Sequence, residues 1–245
     1  MSGTSLQPAG RVFEKQGYHL LAAVISVVVL HQLAGLSTFS SGEWLGRSSR
    51  NWFWLAAAVP ILHQAFVALV WRTQLAAHTP TRLLGNRAFP AYGAVFMVLF
   101  LLRPVTLIGL ALSNQGSLGA NSTVLAILSV LVAVPSGYVL YSVGRYFGLE
   151  RALGADHFES AYREIPFEKR GAFKHMDNAM YAVGLMALYL PGLIWNSSAA
   201  LLLGAFNHAY IWVHFYTTER PDMRVIYGDD RRASDWDQTG RQADG

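Results

Sequence analysis

The chain has 245 residues, of which 53% are hydrophobic and only 14% charged, with mean hydropathy +0.28 and formal net charge +4. Soluble domains carry about 25% charged residues, so an ordinary soluble domain is excluded. The absence of cysteine excludes disulfides, thiolate nucleophiles and cysteine-based metal sites. The modest positive charge suits loops facing anionic lipid head groups, and no aromatic–basic module for nucleic acid is present.

Charges gather in a few segments that separate apolar runs, each long enough to cross a hydrocarbon core of about 30 Å. Residues 1–16 form a polar N-terminal segment. The apolar run after them is long enough to remain as a span, so no cleaved signal is expected. The first span is expected at Gly17–Leu36 and the second at Trp52–Trp71, which carries Pro60 and His63. A third covers Ala88–Ser113 and contains Arg103-Pro104; a fourth runs from Ser122 to Gly144, with Pro135 and Gly137 as bend points. A long polar stretch, residues 145–175, follows. Two more apolar runs, Met176–Trp195 and Ala199–Tyr216, are joined only by Asn196-Ser197-Ser198, which predicts an antiparallel helical hairpin.

Backbone groups in lipid must pair within their own segment, so helices are expected throughout. The fold expectation is an all-α polytopic membrane bundle of six spans, the last two forming a tight hairpin. Residues 17–227 make up the membrane domain, with the hairpin at 176–219, and the polar residues 228–245 a disordered tail. Arg72, Arg82, Arg87, Arg145, Arg151, Arg163, Lys169, Arg170 and Lys174 all fall on one set of loops, and the C-terminal arginines fall on the same side. By the positive-inside rule, both termini and the polar face are cytoplasmic.

Candidate chemistry collects at that face. The segment from Arg145 to Tyr181 holds acids, bases, His157, His175 and several aromatics, with Asp177 and Asn178 entering the hairpin. At about 100° per residue, His208, Trp212, Phe215 and Glu219 share one helical stripe, beside Asn207, Ile211, His214 and Thr218. Pro221 biases Arg220 away from helical geometry, which predicts a helix end near Glu219. Each residue also has a plainer reading. Glu219 can be a solvated helix end, His208 can bond a neighbouring helix, and His31 and His63 read best as helix contacts. Arg103 fits a lipid-phosphate or cofactor contact and equally a bend near an interface; a mid-span arginine costs about 2.5–3.5 kcal/mol on insertion scales. There is no GxSxG, Walker A, HExxH or glycine-rich dinucleotide turn.

The C-terminal part of the chain resembles a known superfamily through the order of its elements. Ser142-Val143-Gly144-Arg145-Tyr146-Phe147-Gly148 is similar to a glycine-containing helix end followed by Tyr-Phe-Gly. Lys174-His175-Met176-Asp177-Asn178-Ala179-Met180-Tyr181 with Gly184 is similar to a basic residue before Met-Tyr-x-x-Gly. Thr218-Glu219-Arg220-Pro221 with Ile226-Tyr227 is similar to a Glu-Glu-Pro element with a following Ile-Tyr. These are features of the phospholipid and isoprenylcysteine carboxyl methyltransferases, and the arrangement looks most similar to bacterial phosphatidylethanolamine N-methyltransferases. The sequence departs from the pattern where Met-Asp-Asn-Ala replaces Arg-His-Pro, and where Arg220 replaces the second glutamate.

The resemblance implies an S-adenosylmethionine-dependent methyltransferase of the bacterial inner membrane acting on a lipid acceptor. It implies cofactor contacts at Gly144, Tyr146, Gly148, Asn178, Tyr181, Glu219 and Arg220. Beside these, His208, His214 and His175 are candidate proton acceptors, and Arg103 and Asp177 candidate substrate contacts; no metal is expected. A prenylated or small thiol or carboxylate acceptor, or a non-catalytic binding module or transporter, remains open on the sequence.

Overall fold

The computed structural model describes residues 8–228, without the side chains of residues 8, 9 and 11. The expectations for residues 1–7 and for the tail from 229 onward lie outside the described residues. A short helix α1 (Pro8–Phe13) precedes α2 (Gln16–Ala34), a single turn α3 (Ser37–Ser40) and a two-residue hairpin, β1 (Glu43–Trp44) with β2 (Arg47–Ser48). The long helix α4 (Ser49–Ala77) follows, then α5 (Thr79–Leu84), α6 (Ala88–Ser113) and α7 (Ser122–Ser142). α7 runs into a widened π turn at Val143–Phe147.

Side-chain oxygens cap three helix N-termini. Ser48 accepts from Asn51 N, Asn121 from Thr123 and Val124 N, and Ser197 from Ala200 N.

Four helical stretches are long and apolar enough to cross a membrane: Gln16–Ala34, Ser49–Ala77, Thr79–Ser113 and Ser122–Phe147. Their outer faces are apolar, as a bilayer requires. α7 exposes Val124, Ile127, Leu131 and Val134, and α2 exposes Leu20, Leu21, Val24 and Val28. The inward faces pack on Phe53, Leu107, Leu110 and Leu203 with many small residues, Ala56, Ala57, Ala111, Ala199 and Ala200 among them. Gly109 shows why small residues are needed, since a Cβ there would lie 2.4 Å from the Trp52 ring.

The run at 176–195 is broken rather than one helix: α10 (Ala179–Ala182), a tighter 3₁₀ stretch at Gly184–Tyr189 and α11 (Leu190–Ile194). Gly184, Pro191 and Gly192 sit at the breaks, where a regular ladder would be interrupted. These pieces lie against α12 (Ser198–His214); a Cβ at Gly204 would meet the Leu188 carbonyl at 2.7 Å. At this end of the bundle Asn114 ties the loops together. Its Nδ2 donates to Thr38 O and Ser41 O, and its Oδ1 accepts from Ser117, Ser197 and Ala199.

Two expectations are corrected here. The chain does not leave the helix near Glu219. A π turn at Phe215–Glu219 leads into further helix through residue 228, and Arg220 is itself helical at φ −58°, ψ −42°. Pro221 cannot donate to the carbonyl of Thr217. That carbonyl accepts instead from Arg72 at 2.9 Å and Gln16 at 3.2 Å, so the proline is tolerated. Nor is Arg72 a loop charge. It is buried in α4, 3.2 Å from Asp222 and 3.8 Å from Glu14, so it belongs to the fold rather than to the positive face. Asn207 has the same relation to Pro60, since its amide reaches Ala56 O at 3.5 Å.

Candidate functional site

At the end of the bundle opposite Asn114, the polar stretch after α7 folds back over the C-terminal ends of α4 and α12. It does so in short pieces, α8 (Leu149–Ala152), a 3₁₀ turn at Ala155–His157, α9 (Ser160–Arg163) and a second turn at Gly171–Lys174. A cavity of about 330 Å³ lies beneath them.

The cavity's wall has a distinct chemistry. Asp156, Glu168, Asp177 and Glu219 supply carboxylates, and Trp71, Phe147, Phe167, Phe173, Phe215 and Tyr227 supply rings. Arg151, Lys169 and His157 are its basic side chains, and Asn178 and Tyr181 add neutral polar groups. Tyr181 donates to the Glu219 carboxylate at 2.5 Å, a short charge-assisted bond. It joins the two apolar stretches on either side of Asn196-Ser197-Ser198 across the cavity.

One side of the cavity rests on a buried charge cluster. His157 lies flat on Trp71, with ring centroids 4.0 Å apart. Its Nδ1 donates to Asp156 at 3.0 Å, while Nε2 faces Asp222 at 3.4 Å. Tyr227 donates to the other Asp156 oxygen at 2.9 Å, and Arg72 faces the other oxygen of Asp222. Burial by itself would lower the His157 pKa. Hydrogen bonds and charge from Asp156 and Asp222 outweigh it and push the group up to about 9. Asp156 is held below its ordinary value despite burial, by its bond to His157. Burial, with Asp156 nearby, pushes Tyr227 up.

Gly154 makes this stacking feasible. It sits at φ +81°, and a Cβ there would lie 2.4 Å from the Trp71 indole. Both the backbone conformation and the close approach call for glycine.

Of the residues expected on the sequence, Asn178, Tyr181, Glu219 and Asp177 line the cavity together. Tyr146 and Gly148 line a neighbouring cavity instead. Gly144 is exposed with nothing near its missing Cβ, and Arg220 is exposed over the Tyr216 ring at 5.9 Å.

None of the three candidate histidines is on the wall. His175 is exposed. His208 sits between the Tyr181 carbonyl at 2.8 Å from Nε2 and the Tyr189 hydroxyl at 3.2 Å from Nδ1, so both ring nitrogens are engaged in packing elements together. His214 is buried beside Trp71 and His19. Arg103 is buried in mid-helix rather than at an interface. Among the described residues, its Nε and one terminal nitrogen have no hydrogen-bond partner.

The cluster of Trp71, Arg72, Asp156, His157, Asp222 and Tyr227 was not grouped from the sequence, where Arg72, His157 and Tyr227 figured only separately, as a loop charge, a histidine of the polar stretch and half of the Ile-Tyr pair. No group of three or more potential metal ligands is found among the described residues. The chain matches no protein-family model, no curated protein and no solved structure.

Proposed function

We propose that this protein is an S-adenosylmethionine-dependent methyltransferase of a bacterial inner membrane, acting on a lipid or lipophilic acceptor, phosphatidylethanolamine first among them. The observation that carries the reading is the cavity wall, where Asn178, Tyr181, Glu219 and Asp177 meet among aromatic rings. A ligand bearing a sulfonium and an ammonium suits the carboxylates of Asp177 and Glu219 and several ring faces, since both attract cations. Arg151 and Lys169 suit that ligand's carboxylate. The volume falls within the range of about 300–1,000 Å³ common to small-molecule sites.

S-adenosylmethionine, when bound, would supply an electrophilic methyl group, carried on a positively charged sulfur, for an acceptor nitrogen. The chain's own part is to orient and dehydrate the partners. Glu219, fixed by Tyr181, holds the cationic amino group. Asp177, exposed at the rim, takes the proton that an ammonium acceptor must lose before it can attack. The three histidines lie off the wall, so this role moves to a carboxylate. Trp71 and Phe215 close the inner side against water.

In this reading the chain crosses the membrane six times, with both termini and the cavity in the cytoplasm. The helix from residue 198 to 219 spans about 33 Å at 1.5 Å per residue. The broken run Ala179–Ile194 lies antiparallel to it as the hairpin's other arm.

The test uses detergent-purified protein, methyl-labelled S-adenosylmethionine and a total bacterial lipid extract. Label in methylated phosphatidylethanolamine species supports the proposal. No labelled lipid despite measurable cofactor binding would move the acceptor to prenylated or small thiols and carboxylates, and no cofactor binding would overturn the enzyme reading.

A further inference from the structure

A second cavity, of about 650 Å³, adjoins the first and shares Phe147, Arg151, Phe167 and Glu168 with it as a common wall. It opens directly after the membrane-length helix α7, on the π turn Val143–Phe147 and Gly148. Its position is that of the aromatic and basic belt where spans meet head groups.

The charges on its lining balance. Arg151 and Arg170 face it together with Glu150 and Glu168. Arg170 holds Glu168 through two bonds of 2.8 Å, and Tyr162 donates to Glu150. The guanidiniums of Arg145 and Arg170 lie 5.6 and 5.4 Å from the Tyr146 ring centroid, which gathers positive charge around that residue. Leu149 and Ile165 also line the cavity and remain 56% and 43% exposed. An anion alone would not need the carboxylates, and a soluble ligand would not need large exposed apolar side chains.

We propose that this second cavity docks the zwitterionic headgroup of a membrane phospholipid. Its phosphate pairs with Arg170 on the lining and with Arg145, which lies beyond the lining against the Tyr146 ring, its ammonium with Glu150 and the Tyr162 ring, and its acyl chains leave over Leu149 and Ile165 into the bilayer. Guanidinium–phosphate and ammonium–ring pairing are the interactions these groups make best. The shared wall would set the bound headgroup beside the first cavity, from which its nitrogen has to swing across that wall to react, and this consequence alone rests on the methyltransferase reading.

The experiment measures binding to detergent-purified full-length protein by calorimetry. The probes are a short-chain phosphatidylethanolamine, the matching phosphatidic acid and diacylglycerol, and inorganic phosphate. The zwitterionic lipid is expected to bind at least about tenfold more tightly than the other three. Arg145→Gln together with Glu150→Gln should weaken it about tenfold. Neither residue lines the first cavity, so affinity for S-adenosylmethionine should be retained. Equal binding of all four probes, equal competition by inorganic phosphate, or a double variant with unchanged lipid affinity would overturn the proposal. Lipid binding without cofactor binding would leave this site standing and remove the methyltransferase reading; the converse result would do the opposite.

Discussion

Replacing His157 by glutamine should remove a pH-dependent part of the protein's stability. His157 is fully buried against Trp71, with Asp156 on one ring nitrogen, Asp222 facing the other, and Arg72 beyond Asp222. Its pKa is pushed from the ordinary 6.5 to about 9. At about 1.4 kcal/mol per pH unit, this corresponds to roughly 3 kcal/mol of preference for the folded state when the ring is protonated. A raised pKa stabilises fully below pH 6.5, and the contribution fades as pH rises through 9. Asp156, held low, keeps its charge across that window, and Tyr227, pushed up, keeps its proton, so neither supplies the slope. Denaturant unfolding in detergent at several pH values from 6 to 10 measures the effect, with tryptophan fluorescence as the signal. Across the window the wild type should lose about 3 kcal/mol more than His157→Gln, the difference isolating this group from the other histidines. An equal slope in the two proteins, or a steeper loss in the variant, would refute the reasoning.

Gly154→Ala meets both a left-handed backbone and the Trp71 ring. It should cost about 1–3 kcal/mol by the same unfolding measurement. Arg72→Met leaves Asp222 without its guanidinium and the Thr217 carbonyl with one donor fewer. Breaking a buried pair in this way should cost about 3–5 kcal/mol, read as a lowered melting temperature and fraying of the helix after Pro221. Arg103→Met should behave in the opposite sense. The arginine is buried with two nitrogens unbonded among the described residues, so an apolar replacement should leave ligand-free stability unchanged or raise it by about 1–4 kcal/mol. A marked loss of stability in that variant would mean that the guanidinium has a partner within the folded chain.

Hydropathy made most of the bundle legible. The third expected span and α6 share the same bounds, Ala88–Ser113, and the first, second and fourth lie close to α2, α4 and α7. Such features are local, and a window of sequence contains them. The site was legible only in part, because its members come from distant stretches. Asn178 and Glu219 could be grouped as the polar ends of two apolar runs joined by three residues, and Tyr181 through the resemblance. Arg72 and Asp222 could not, because the ion pair links residues 150 positions apart, and a count of positive charges on loops assigns Arg72 to solvent. The proline rule failed at Pro221 for the same reason, since donors from α4 and α2 replace the bond that the proline removes. Helical spacing puts His208 on one stripe with Glu219, but the π turn at Phe215–Glu219 breaks that spacing. Helical spacing cannot register that Tyr189 and the Tyr181 carbonyl take up both of its nitrogens.

The most direct test of the central claim is a binding titration of S-adenosylmethionine on the detergent-purified protein, with Glu219→Gln and Tyr181→Phe beside it. The account predicts saturable one-to-one binding by the wild type. It predicts a loss of about tenfold or more in Glu219→Gln, where the cavity gives up the carboxylate that faces the ligand's cation. Tyr181→Phe should lose less, since it removes only the group that fixes Glu219. No saturable binding by the wild type, or binding equally tight in Glu219→Gln, would contradict the claim that this cavity is the cofactor site.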